Sequence, residues 1–331
     1  MRVLEVSQSC NILHTSTLLC LSGSIKLRHI ESVVLSTLYP HAPEIQLQPD
    51  FLLSNMPLFS LKPVLAILLL LAVTVPAQAL ESALSLKDVY ARTVEQQVQP
   101  TPEDLQNYID QMASTLLSNN ISNLPSQYIL LVDRNPKVQV AMLFWLDQQG
   151  QYQLIGASPV STGRSPGFEH FETPTGVYAH SLANLDYRAE GSKNSKGVRG
   201  YGIKGRRVFD FGWQKAKKGW GDKIIADMRM QMHATDPGLL ESRLGTVQSK
   251  GCIRIPGTLN FLLDRYAVLD ADYLQAVAEG KKFWVLDKNR EDNPWAGRYM
   301  VIVDSGKEQK PEWAAYIPAP APTARKQVKP A

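Results

Sequence analysis

Residues 127–161 read QYILLVDRNPKVQVAMLFWLDQQGQYQLIGASPVS, and this stretch decides the fold. The runs YILLVD, VQVAMLFWLD and YQLIGASPVS are short and rich in Val, Ile, Leu and aromatic residues. Arg134-Asn135-Pro136 and Gln148-Gln149-Gly150 separate them. Runs of this length and composition, bounded by turn residues, predict consecutive strands of a β-meander. Further strand-like runs occupy Gly202–Phe211, Lys223–Met232, Lys282–Asp287 and Arg298–Asp304, whereas helical patterns are confined to Thr258–Tyr266 and Asp272–Glu279. The body of the chain is therefore expected to be mainly β with peripheral helices.

Upstream of the meander, Thr101-Pro102-Glu103-Asp104 has the form of a helix start. Thr101 is the N-cap, Pro102 takes the first helical position, and two acids follow where the helix dipole favours them. Leu105, Tyr108, Ile109, Met112, Leu116 and Leu117 recur at helical spacing as one packing stripe, and the helix should end near Ser118-Asn119-Asn120.

Earlier still, MPLFSLKPVLAILLLLAVTVPAQA (56–79) places Lys62 before an apolar run, Val64 to Val75, and ends in Ala77-Gln78-Ala79. That order predicts a secretory signal cleaved after Ala79. The run is short for a membrane span, which needs about 18 apolar residues or more, so an uncleaved anchor is the alternative. Residues 1–55 lack pattern and are expected to be an upstream extension absent from the mature protein. The expected organisation is thus an extension (1–55), a signal (56–79), a helical segment (80–126), a catalytic domain (127–288), and a C-terminal strand with a Pro/Ala-rich tail (289–331).

Composition permits a real core, with 44% hydrophobic and 20% charged residues among 331. A net charge of +4 is too mild to argue for a nucleic-acid partner. Between Arg188 and Lys223 the chain is Gly-rich and basic, which predicts either a solvated surface or a flap that attracts an anionic polymer. Export would remove Cys10 and Cys20 with the leader, leaving Cys252 as a lone thiol in an oxidising compartment.

Cys252 lies in QSKGCIR, and a nucleophilic thiol requires a base and donors for an oxyanion. Of the downstream histidines His170, His180 and His233, the last closes the run DMRMQMH 19 residues before Cys252, within reach of a returning loop. The backbone amides of Gly251 and Cys252 are the oxyanion candidates, since Gly251 has no side chain to block approach. On a strand Arg254 shares a face with Cys252. It could hold a substrate carboxylate or anchor the turn through a structural ion pair. Ser249 and Lys250 are further candidate substrate contacts. No His/Cys spacing of the zinc type occurs, so neither metal nor cofactor is expected.

Phe171-Glu172-Thr173-Pro174-Thr175-Gly176-Val177-Tyr178, then Met232-His233-Ala234-Thr235, then Leu244-Gly245 and Ser249-Lys250-Gly251-Cys252-Ile253-Arg254 follow in a characteristic order. In that order the chain resembles the L,D-transpeptidase catalytic domain of the YkuD type, over roughly Gln127 to Asp287, including VSTG at Val160–Gly163 and a closing strand FWVLD. The resemblance implies a YkuD-like mixed β-sandwich, Cys252 as nucleophile and His233 as base. It also implies peptidoglycan stem peptides as substrate, a cell-wall-linked protein as a further acceptor, and a periplasmic or envelope location. Lys250 stands where the family usually has histidine, and Ala234 where it commonly has glycine. A lysine cannot accept the hydrogen bond an imidazole would, but it can favour a thiolate. Alternatives to transpeptidation are a carboxypeptidase or hydrolase using the same acyl-enzyme, and a non-catalytic peptidoglycan-binding module.

Overall fold

The computed structural model describes residues 85–315. The upstream extension, the signal segment and the end of the tail lie outside the described residues. Among the described residues nine strands form two mixed sheets: β1 (Gln127–Asp133), β2 (Val140–Leu146), β3 (Tyr152–Pro159), β4 (Gly176–Ala179), β5 (Tyr187–Arg188), β6 (Arg207–Lys217), β7 (Ile225–Ala234), β8 (Ile253–Ile255) and β9 (Tyr299–Val303). Four α-helices accompany them among the described residues: α1 (85–93), α2 (Pro102–Ser118), α3 (Gly257–Arg265) and α4 (Ala271–Ala278). None of these is long and apolar enough to cross a membrane.

The meander forms as its sequence predicts, with β1 antiparallel to β2 and β2 to β3. Both β1 and β2 are buried at every position, because their sheet is covered on both faces. Tyr128, Leu130 and Val132 meet Phe209, Met230, Met232 and Ile253 of the second sheet. Ile129 and Leu131 point the other way, onto Tyr108, Met112 and Leu116 of α2. Thr101 caps α2 by accepting from the Asp104 amide at 3.2 Å, a contact worth about 1 kcal/mol. Leu117, assigned to the packing stripe from its spacing, is 67% exposed.

One strand expectation is corrected. Residues 282–287 form turns: Val285 and Leu286 bury against α4 beside Tyr273, and Arg188 caps the Val285 carbonyl, so no neighbouring strand is needed. The closing strand is instead β9, which pairs parallel with β1 and antiparallel with β4 and so lies inside the first sheet. A domain ending at 288 would cut that sheet. The described part of the preceding helical segment, 85–126, is equally integral, since Tyr90 covers Gly156 and bonds Ser158 at 2.6 Å, and Val98 bridges Ala157.

The second sheet, ordered β5-β6-β7-β8, carries the candidate site residues His233 and Arg254 and is braced by a buried charge cluster. Arg207, fully buried, donates to Asp186 at 2.7 Å and to both oxygens of Asp270 at 2.7 and 2.8 Å. His180 donates from Nδ1 to the Leu269 carbonyl at 2.8 Å and turns Nε2 to Asp186 at 2.9 Å. Burial alone would lower the His180 pKa, but the Asp186 carboxylate overturns that and raises it. These bonds tie β6 to the start of α4 and to the segment leading into β5. Arg207→Met is expected to cost about 3–5 kcal/mol in urea unfolding, because it strands two buried carboxylates. His180 stabilises the fold below its unfolded pKa and loses that contribution as pH rises through its raised folded value. His180→Gln should accordingly flatten the alkaline side of the stability profile.

Candidate active site

The run Met228-Arg229-Met230-Gln231-Met232-His233 alternates along β7. Its methionines enter the core, so Arg229, Gln231 and His233 share the opposite face. β8 lies parallel to β7 with Met232 opposite Ile253 and His233 opposite Arg254. Since Ile253 also points into the core, Cys252 and Arg254 emerge on the face that carries His233. Two strands thus bring together three of the residues singled out from sequence.

His233 is buried, and its Nδ1 contacts the Ala234 carbonyl at 2.7 Å. A carbonyl only accepts, so Nδ1 carries the hydrogen. Burial, with Arg254 adding to it and the Ala234 contact opposing, pushes the His233 pKa down to about 4. The imidazole is therefore neutral at ordinary pH, with Nε2 free to accept a proton. The Cys252 thiol donates to the Arg229 carbonyl at 3.7 Å, and burial pushes its pKa up, against the opposing influence of the Gln231 backbone and Arg254. No hydrogen bond joins thiol and imidazole in this geometry, and the resting pair is neutral on both sides.

Arg254 has no carboxylate within ion-pairing distance among the described residues. Its Nη1 donates to the Gln248 carbonyl at 3.3 Å, while Nε is buried without a partner. The structural ion pair considered for it is absent, and its charge bears on Cys252 and His233 instead.

The turn before Cys252 holds two more of the residues singled out from sequence. Ser249, a candidate substrate contact, is buried: its hydroxyl donates to the Cys252 carbonyl at 2.5 Å and accepts from the Gly251 amide at 3.0 Å. It shapes the turn, and the Gly251 amide is occupied by Ser249 until that bond yields. That leaves the Cys252 amide as the other oxyanion candidate. Lys250, also a candidate contact, pairs on the surface with Glu169 at 2.7 Å, and the charges bearing most on the thiol are Arg254 and Asp210. Its side chain is 59% exposed where it meets that carboxylate.

Sequence reasoning did not assign roles to several residues here. Thr173 accepts from the Gly163 amide at 2.9 Å and donates to the Gly251 carbonyl at 2.7 Å, fastening the Cys252 turn to the strand-end loop. Tyr201, from the basic Gly-rich section, sets its ring edge-on to His233 at 4.6 Å and bonds Gln231 at 3.3 Å. Beside it a cavity of about 650 Å³ opens between Tyr187, Tyr201 and Trp284. Elsewhere in that section Lys215, Lys217 and Lys218 form surface ion pairs. The period-2 alternation of β7 was the available signal for Arg229 and Gln231; Thr173 and Tyr201 depend on contacts that no local pattern encodes. His170 lies on a surface loop, bonded to the Phe168 carbonyl at 2.7 Å, and His180 belongs to the buried charge cluster.

No protein-family profile and no curated protein sequence matches the chain. Among solved structures, the helical cell shape determining protein Pgp2 from Campylobacter jejuni is similar at 15% identity, and a single-residue mutant of it at 16%, each with a TM-score of 0.25. Each match covers 62% of this chain and 59% of the other, so the chain spans about three fifths of the length of those structures. A likeness at this level assigns neither family nor activity.

Iodoacetamide alkylation of Cys252 is expected to show a pH midpoint above that of an ordinary thiol, and Arg254→Ala should move it higher. A midpoint at or below the ordinary value would contradict a neutral resting thiol. Gly251 has φ +136°, and an added Cβ would lie 2.9 Å from the Met228 side chain. Gly251→Ala should therefore cost about 1–3 kcal/mol in urea unfolding.

Proposed function

We propose that the chain is a cysteine-dependent acyltransferase of the L,D-transpeptidase kind, acting on peptidoglycan stem peptides and exported to the cell envelope by the 56–79 signal. The observation that carries this reading is the parallel pairing of β7 and β8, which sets Cys252, His233 and Arg254 on one face. The motif order that resembles the YkuD-type family supplies the substrate class.

In this reading the Cys252 sulfur attacks the carbonyl of the third stem residue as its proton passes to His233 Nε2. A C–S bond forms, the C–N bond to the terminal D-alanine breaks, and His233 returns the proton to the departing amine. An acceptor amine then attacks the thioester, His233 takes its proton, and the thiol is regenerated. Because both groups start neutral, proton transfer accompanies attack rather than preceding it. The Cys252 amide, joined by Gly251 once Ser249 releases it, stabilises each oxyanion. Such a donor contributes about 3–4 kcal/mol where removal has been measured in other enzymes. Arg254 supports the thiolate as it leaves and returns. Lys250, engaged with Glu169, does not take the role of the family's histidine.

Purified protein given a tetrapeptide stem with an amine acceptor should release D-alanine and form a cross-linked product, and Cys252→Ala should abolish both. D-alanine release with no cross-linked product would assign a hydrolase, and stem-peptide binding with no turnover would leave a binding module. The acid limb of kcat/KM should fall near pH 4 to 5, since His233 is protonated, and so lost as a base, only as pH drops toward its lowered value of about 4. A limb at the ordinary histidine value would contradict a buried neutral base.

A further inference from the structure

We propose that Arg229, seated against Trp213, recognises a free carboxylate on the peptide substrate beside the reacting carbonyl; this inference rests on the acyl-transfer reading above. Arg229 shares the face of β7 that carries His233, and its backbone carbonyl accepts the hydrogen bond of the Cys252 thiol at 3.7 Å. Its side chain therefore lies on the same face of the sheet as the nucleophile, leaning toward β6. The guanidinium is held by its inner edge: Nε donates to both oxygens of Asp210, at 2.9 and 3.0 Å. Asp210 is itself buried and also accepts from the Gly212 amide at 2.8 Å and from Gln231 Nε2 at 2.9 Å. It is thus a fixed, filled clamp.

Neither Nη1 nor Nη2 of Arg229 donates a hydrogen bond among the described residues, although its side chain is 38% exposed. Trp213, the register partner of Arg229 on β6, stands 64% exposed, with the guanidinium 5.8 Å from its ring centre. Neutralising Asp210 needs only the inner Nε–H and explains neither the idle outer fork nor the exposed indole. Two parallel N–H donors on a pre-oriented plane match a carboxylate in bidentate fashion. Asp210 cancels part of the local positive charge, which favours a singly charged anion over a phosphate. Lys215, the nearby cation on β6, is already paired with Asp227 at 2.9 Å.

Binding is measured first, because it does not depend on turnover. Cys252→Ala protein is titrated calorimetrically with a tetrapeptide stem bearing free carboxylates and with its fully amidated analogue. The free peptide should bind about tenfold to a hundredfold tighter, and Arg229→Gln should collapse that preference while leaving the amidated peptide unchanged. Arg229→Lys, which keeps a cation beside Asp210 and guards against misfolding, should keep its melting temperature yet lose most of the preference. A carboxylate preference that survives Arg229→Gln overturns the assignment, and so does the absence of any binding. If the Arg229-dependent preference is present but the chain with Cys252 intact releases no D-alanine, the recognition role stands and the acyl-transfer reading falls.

Discussion

The whole arrangement depends on a three-residue parallel pairing, Met232–Ala234 of β7 against Ile253–Ile255 of β8. Parallel strands keep side chains in step, so one register decides at once what enters the core and what faces out. Here Met232 and Ile253 go in; His233, Arg254 and Cys252 go out. A slip of one residue would bury an imidazole and a guanidinium in an apolar core and expel a methionine and an isoleucine, a cost that pins the register. The juxtaposition of imidazole and thiol is therefore a consequence of hydrophobic patterning.

Because β8 is so short, its position must be secured from outside. Thr173 fastens the Gly251 carbonyl, Ser249 folds the turn on itself, and Ser161 and Arg254 exchange backbone hydrogen bonds at 2.9 Å in each direction. On the far side of the sheet's order, Arg207, Asp186 and Asp270 anchor β6, on which β7 is laid. The same rigidity sets the electrostatics. Burial holds the imidazole neutral and raises the thiol, while Arg254, whose charge bears on both, has no carboxylate within ion-pairing distance among the described residues.

Local pattern carried much of this information. The meander, the Thr101 cap and the two helices after β8 were legible because periodicity, turn residues and capping chemistry act over a few residues. Residues 282–287 read as a strand because Phe283, Val285 and Leu286 are apolar; what decides their turn is burial against α4, a contact invisible to local composition. The placement of β9 inside the first sheet was hidden for the same reason, since parallel partners lie far apart in sequence. At the candidate site, Cys252 and His233 were singled out from motif order, and the pairing of β7 and β8 sets them on one face. The turn-shaping role of Ser249 and the outward turn of Lys250 follow from a hydroxyl between two backbone groups and a carboxylate 81 positions away.

The chemistry then turns on whether sulfur becomes covalently acylated. The protein, mixed with a tetrapeptide stem in the absence of acceptor, quenched in acid within seconds, digested and analysed by mass spectrometry, should carry an adduct on the peptide containing Cys252. The mass added to that peptide should equal the mass of the stem peptide minus that of the free D-alanine released, which carries away the hydrogen lost from sulfur. An unmodified Cys252 peptide at every quench time, while D-alanine accumulates in solution, would contradict the account.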